Sequence, residues 1–334
     1  MRILLVTPAP PRSYHGNRVT AVRWAGMLRS LGHQVRVRQG YDSSPADLLI
    51  ALHARRSADA VRRARADRPS ARIVLALTGT DLYPSLAEAG ADPDALAAAD
   101  RLVVLQPLAL EQVPAALRGR TRVIYQSVKP QAAVRYHAAE PPPVTCEPGP
   151  APARGGSFGV ALLAHLRPVK DPLLPACAAR LLPASLPVRI RHAGAVIDPA
   201  LADRAAAETR ANPRYTWLGE LNRSRARELL AASHVLVHPS RHEGGANVVS
   251  EALAAGVPVL ATRIPGTVGI LGADYPGYFP VGDAAALAGL LSRVERNAGG
   301  LYDELRRRCA ALRPLTDPRR ERASWRRLLA ELAR

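Results

Sequence analysis

Glu243 and Glu251 stand eight residues apart, and Gly244, Gly245, Ala246 and Asn247 follow directly on the first of them. Paired glycines let a ligand approach backbone N–H groups that no intrahelical acceptor satisfies, and the positive end of a helix favours an anion there. Glu251, one to two turns further in, is spaced to accept hydrogen bonds from a ligand's hydroxyls. The same residues, taken alone, also describe a tight turn with two solvated carboxylates.

Whichever reading holds, a strand must deliver these residues and a helix must carry them. Residues 234–238 (HVLVH) read as a short buried strand, and 257–261 (VPVLA) as another. Between them Val248, Val249, Leu253 and Ala254 recur at helical spacing, Gly256 sits at a left-handed C-cap, and Pro258 stops the helix. The unit is strand, loop, helix, strand.

The remainder repeats that unit. Residues 2–7 form a first strand, apolar on both faces as in a parallel sheet. Asn17 is expected to cap a helix bearing Val22, Ala25, Leu28 and Leu31, which Gly32 ends. DLLIAL, RIVLAL, RLVVL and VIYQSV follow as strands with helices between them. Alternation of this kind predicts α/β architecture with doubly wound parallel sheets, which bind ligands beyond the carboxyl ends of their strands. Residues 8–18, 53–56, 78–81 and 106 lie there. From 131 to 156 the chain is rich in proline without periodicity, as in a semi-extended linker. A second α/β series occupies 157–316. Asp317 and Pro318 then start a last helix, 317–334, with Trp325, Leu328, Leu329 and Leu332 in one stripe.

Length and composition fit this plan. A chain of 334 residues suits two domains, and 48% hydrophobic content supplies two cores. The formal net charge is +18, but only Lys129 and Lys170 are lysines among the 46 basic residues, which leaves 44 arginines. Such arginine excess reflects coding bias before it reflects a nucleic-acid partner, and basic runs such as residues 306–308 alternate with acids as a solvated helix face does. Cys146, Cys177 and Cys309 are widely spaced and odd in number, against a disulfide framework or a Cys-x-x-Cys metal site and in keeping with a reducing cytoplasm. No apolar run reaches membrane-spanning length. Walker A, G-x-G-x-x-G and H-E-x-x-H patterns are missing. Asp92-Pro93-Asp94 has the look of a metal-binding D-x-D, but Asp92 as N-cap with Pro93 at the first helical position accounts for it better, so no catalytic metal is expected.

Residues 243–251, with the flanking P-S and A-L-A-A-G-V-P-V-L-A-T, resemble the paired-glutamate signature of nucleotide-sugar glycosyltransferases with the GT-B fold. The resemblance implies two Rossmann-like domains facing a central cleft: an acceptor domain over 1–130, a linker over 131–156, and a donor domain over 157–316, with the last helix packing back on the first domain. It implies that Glu251 holds the ribose hydroxyls and Glu243 a sugar hydroxyl. The N–H groups near Gly244, Gly245, Ala246 and Asn247 face the sugar and diphosphate, and Gly219 to Leu221 lie near the base. HLRPVKDP is similar to the family's R-x4-K element, whose two cations grip the diphosphate. Lys170 matches the second cation. His165 occupies the first position and Arg167 follows two residues later, so either fills the first role. Without a metal, such cations and backbone N–H groups must take up the charge of the departing diphosphate.

On the acceptor side Arg12, His15, Gly16, Asn17 and Arg18 precede a helix, His53, Arg55 and Arg56 end a strand, and Thr80 and Asp81 end the next. This cluster suits a small anionic nucleophile. Five stretches, TPAPPRSYHGNRVTAVRWA, LIALHARRSA, ALTGTDLY, HLRPVKDP and PSRHEGGANVVSEAL, are together similar to the selenosugar synthases of selenoneine biosynthesis. That resemblance implies UDP-N-acetylglucosamine or UDP-glucose as donor and selenophosphate as acceptor. No general base is assigned. An ordinary sugar or lipid alcohol as acceptor, which would need His53 or Asp81 as base, and a non-catalytic nucleic-acid-binding protein are the competing readings.

Overall fold

The computed structural model describes residues 1–129 and 156–333. Except for residue 156, the expected linker falls outside them. The first half comprises β1 (Arg2–Val6), α1 (Gly16–Ser30), β2 (Gln34–Arg38), β3 (Leu48–Leu52), α2 (Ala58–Asp67), β4 (Arg72–Leu77), α3 (Pro93–Ala98), β5 (Arg101–Val104), α4 (Ala115–Arg118) and β6 (Thr121–Val123). The second comprises β7 (Phe158–Leu163), α5 (Leu174–Arg180), β8 (Val188–Ala193), α6 (Pro199–Ala211), β9 (Tyr215–Trp217), α7 (Arg223–Ala231), β10 (Val235–His238), α8 (Asn247–Ala255), β11 (Val259–Thr262), α9 (Pro265–Leu271), β12 (Tyr278–Phe279), α10 (Ala284–Glu295), α11 (Leu301–Leu312) and α12 (Pro318–Leu332).

Two six-stranded sheets result, in the orders β2-β1-β3-β4-β5-β6 and β12-β11-β10-β7-β8-β9. Every pairing is parallel. β3 shows why: all five of its residues are buried, because helices cover both faces of the sheet. The strand order reverses between β1 and β3 in one sheet and between β7 and β10 in the other. A crevice opens at the carboxyl ends of the strands at each such reversal. The loops that leave β1, β3, β7 and β10 therefore form the floor of any site.

Several local signals resolve as caps. Asp92 accepts the N–H groups of Asp94 (2.9 Å) and Ala95 (3.1 Å) with Pro93 at the first helical position, and it also pairs with Arg62. The D-x-D sequence is a helix start. Asp317 caps α12 through the Arg319 N–H in the same way, and Gly256 closes α8 at φ 72°. Two expectations need correction. The N-cap of α1 is His15, not Asn17, which falls inside the first turn. The last strand of the first sheet is residues 121–123, and 124–128 run on irregularly.

α12 lies against the first domain. Trp325 meets Trp24 of α1 edge to face, ring centroids 4.8 Å apart, and Leu328, Leu329 and Leu332 join Leu28 in the same core. Both indoles are fully buried, and aromatic pairs of this geometry stabilise by about 0.5–1.5 kcal/mol beyond their area.

Candidate active site

The two sets of strand ends face each other across a cleft of about 800 Å³. From the first domain, His15, Gly16, Asn17, His53, Arg56 and Thr80 line it. Arg12, Arg18, Arg55 and Asp81, also expected on the acceptor side, are not among the residues that line it. The Arg55 stem lies over Gly90 instead. Asp81 is fully buried and accepts the N–H groups of Ala54 (2.7 Å), Thr78 (3.0 Å) and Gly79 (2.7 Å). Its carboxylate pins the loops after β3 and β4 together, with His53 Nδ1 3.9 Å from Oδ2.

From the second domain, His165, Arg167, Lys170, Leu221, Glu243, Gly245, Ala246, Asn247 and Glu251 line the cleft, and Gly219 and Gly244 do not. Gly219 (φ 73°) makes the turn after β9, and its carbonyl accepts the Gly194 N–H at 2.8 Å. Sequence reasoning passed over Arg223, Gln126 and Gly194, which also line the cleft. They carry no local motif and arrive there only through tertiary folding.

α8 begins at Asn247, with Ala246 as N-cap, so the glycines precede the helix and do not open it. The Val249 and Ser250 N–H groups turn back to the Ala246 carbonyl at 3.1 and 3.3 Å. The Asn247 and Val248 N–H groups, which no helical carbonyl can satisfy, are therefore the donors at the cleft end. The glycines do something else. A Cβ on Gly244 would sit 2.6 Å from both the Gly79 nitrogen and the Thr78 carbonyl carbon, and one on Gly245 would sit 2.6 Å from the Leu105 Cβ. Both residues are bare so that the two domains can touch, Gly244 against the backbone of Thr78 and Gly79 and Gly245 against the Leu105 side chain. Gly244→Ala is therefore expected to hold the domains apart, visible as a larger radius of gyration in small-angle X-ray scattering. An unchanged scattering profile would contradict this contact.

Glu243 forms an ion pair with Lys170 through Oε1, and the Nε2 of buried His238 lies 3.7 Å from the same oxygen. Burial pushes the Glu243 carboxyl up, but the Lys170 ammonium and His238 outweigh it and hold the group below the usual carboxylate range. Glu251 differs. Arg223 and Arg227, one turn apart on α7, approach it only at 3.9 and 4.0 Å, and burial raises its carboxyl above the usual range despite them. A carboxylate in that position gains from any hydrogen-bond donor a ligand brings.

His165 cannot supply a cation. Its Nδ1 accepts the Ala195 N–H at 3.1 Å, its ring lies edge-on to His15 with centroids 5.5 Å apart, and burial together with His15 and Lys170 lowers its pKa to about 4. Arg167, two residues on, keeps its charge because a guanidinium does not deprotonate in proteins. Lys170 and Arg167 are thus the cations that this segment brings to the cleft.

His192 and His238 are held neutral as well, each with a pKa lowered to about 4, chiefly by burial. His192 is bound on both ring nitrogens, by Tyr215 Oη at 2.7 Å and the Ala164 carbonyl at 2.8 Å. Three folded-state values near 4 lie below the ordinary 6.5. The unfolded chain therefore binds more protons between those limits. Stability is complete above pH 6.5 and falls as the pH drops toward 4, by at most about 1.4 kcal/mol per pH unit per histidine. Urea midpoints at pH 7.5 and 5.0 check this, and equal midpoints would refute it.

Among the described residues, no group of three or more His, Cys, Asp or Glu side chains is placed to hold a metal ion. No described helix is long and apolar enough to cross a membrane.

Comparison with known proteins bears on this geometry. Residues 154–311 match the family model "Glycosyl transferases group 1". No curated protein sequence matches the chain. HepE of Anabaena, solved in complex with UDP and glucose, superposes with a TM-score of 0.72 at 14% identity, covering 99% of this chain and 100% of that one. Sucrose-phosphate synthase of Thermosynechococcus elongatus gives 0.71 at 16% identity, covering 99% and 98%. A glycosyltransferase of Rickettsia africae gives 0.72 at 14%, covering 100% and 98%. Two parallel sheets facing one cleft, with these neighbours, are the GT-B fold, and the match to the group 1 glycosyl transferase model falls on the second domain.

Proposed function

We propose that this chain is a metal-independent glycosyltransferase that moves a hexose, N-acetylglucosamine or glucose, from its UDP derivative to selenophosphate. The observation that carries the donor half is the Lys170–Glu243 pair facing Glu251 across the head of α8. Lys170, Arg167 and the N–H groups of Asn247 and Val248 are positioned to take the charge of departing UDP. Glu251 receives the ribose hydroxyls and Glu243 a sugar hydroxyl. HepE, solved with UDP-glucose, shares the fold.

The acceptor half rests on the selenosugar-synthase resemblance and on Arg56 of the first domain, which lines the cleft. Burial lowers the Arg167 pKa and nearby Arg56 lowers it further, so an anion between the two guanidinium groups gains from both. The selenium lone pair attacks the anomeric carbon as the bond to UDP oxygen breaks, and water then cleaves the selenium–phosphorus bond and releases phosphate. Selenium is nucleophilic enough to need no general base. His53 agrees with that. Its Nδ1 faces the Arg56 N–H at 3.4 Å, which leaves the proton on Nε2, where it is donated to Thr80 Oγ1 at 3.1 Å. This left-handed residue (φ 77°) is thus committed to its own loop and to the one after β4. The buried, unbridged Cys309 suits a reducing cytoplasm.

The test is UDP release from UDP-N-acetylglucosamine and UDP-glucose, with and without selenophosphate, with the sugar product identified by mass spectrometry. Release that depends on selenophosphate and yields a 1-seleno-sugar supports the proposal. Release that ignores selenophosphate but responds to an alcohol rejects its acceptor half, and failure to bind UDP rejects it altogether.

A further inference from the structure

Arg23 of α1 is a first-domain residue whose side chain is only 3% exposed, and each of its guanidinium nitrogens has a different task. Nε pairs with Glu321 of α12 at 3.1 Å. Nη2 donates to Gln126 Oε1 at 2.8 Å, and Nη1 crosses to the second domain to donate to Asn247 Oδ1 at 2.9 Å. Asn247 is the first residue of α8. Its Nδ2 returns toward Thr20 Oγ1 at 3.4 Å, and Thr20 in turn donates to Gln126 at 2.8 Å. Gln126 closes the circuit by donating through Nε2 to the Gly245 carbonyl.

Two residues of the second domain are thus gripped from the first, and they flank Ala246, the N-cap of the helix whose free N–H groups face the cleft. Glu321 and Gln126 fix the guanidinium from two sides, so its third arm has one direction left. A planar fork held this way positions its target as a lysine cannot.

We propose that Arg23, Thr20 and Gln126 are positioning residues, a latch by which docking of the first domain sets the loop-to-helix junction of the donor site. UDP binds the second domain whether or not the latch is made, whereas sugar transfer needs it closed. The proposal rests on the transferase reading above.

Arg23→Lys keeps the charge opposite Glu321 but loses the second and third arms, and Gln126→Met keeps the volume but loses the bond to Gly245. Each is expected to lower kcat for sugar transfer by about 10- to 100-fold, the usual effect of a small misplacement, with UDP affinity changed less than about 3-fold. The double variant is expected to be no worse than the weaker single one. Amide exchange at residues 245–249 is expected to quicken in both variants while the sheet strands stay protected. Wild-type kcat, a UDP affinity that falls in step with kcat, or additive losses would overturn the latch. Should wild-type protein neither bind UDP nor use a UDP-sugar, the transferase reading fails, and amide exchange then judges the latch alone: faster exchange at 245–249 upholds it, and unchanged exchange rejects it.

Discussion

Lys170→Ala is expected to cut turnover of the UDP-sugar by roughly 10²–10³-fold, the cost of removing one preorganised donor from developing negative charge. The ammonium is already in place. The short turn 168–170 presents it to the cleft, and Glu243 holds it there. The substitution acts twice, since it removes a cation from the leaving diphosphate and also strips Glu243 of its main counter-charge. Burial then faces only His238 and the Ser240 hydroxyl, and the carboxyl moves up. A rise in the acidic pKa of the kcat/KM profile should therefore accompany the loss. Lys170→Arg keeps the charge and should recover part of the rate. Near-normal turnover in the alanine variant would remove the donor site from this cleft.

The fold was legible because each strand announces itself. LLIAL and RIVLAL are apolar on both faces, helices with one apolar stripe lie between them, and this combination is satisfied only by a covered parallel sheet. Caps were legible for the same local reason: Asp92, Asp317 and Gly256 act on residues within two or three positions of themselves. The paired glycines were half legible. Their spacing points to a close approach, but what approaches is the loop at Thr78 and Gly79, 165 residues earlier, a distance at which single-sequence patterns are silent. Asp81 illustrates the opposite error. An acid at a strand end has the right address for chemistry, yet three backbone N–H groups occupy it. Weighing His165 against Arg167 also required the structure, since burial and the neighbouring His15 and Lys170 carry the imidazole far below its ordinary pKa.

The residue least visible in sequence has the largest expected effect on stability. Glu321 reads as one more acid on an arginine-rich terminal helix, yet it is 2% exposed and meets its partner Arg23 298 positions away. One carboxylate oxygen accepts the Trp24 indole N–H at 2.6 Å, and the other accepts Arg23 Nε at 3.1 Å together with the N–H and hydroxyl of Ser127. All these donors are buried, so Glu321→Ala leaves the Arg23 Nε–H, the Trp24 indole N–H and the Ser127 N–H in the core without their acceptor, and the guanidinium without its counter-charge. Breaking one side of a buried pair costs about 3–5 kcal/mol, several times what an exposed pair such as Arg2–Asp47 contributes. α12 should lose its hold on α1 first, with Tm falling by roughly 10 °C. Glu321→Gln keeps two acceptor lone pairs and the side-chain shape but not the charge, and it should fall between the two. A Tm for Glu321→Ala within about 2 °C of wild type, on the same order as a surface change, would mean that water reaches the Arg23 guanidinium and that the network is not sealed.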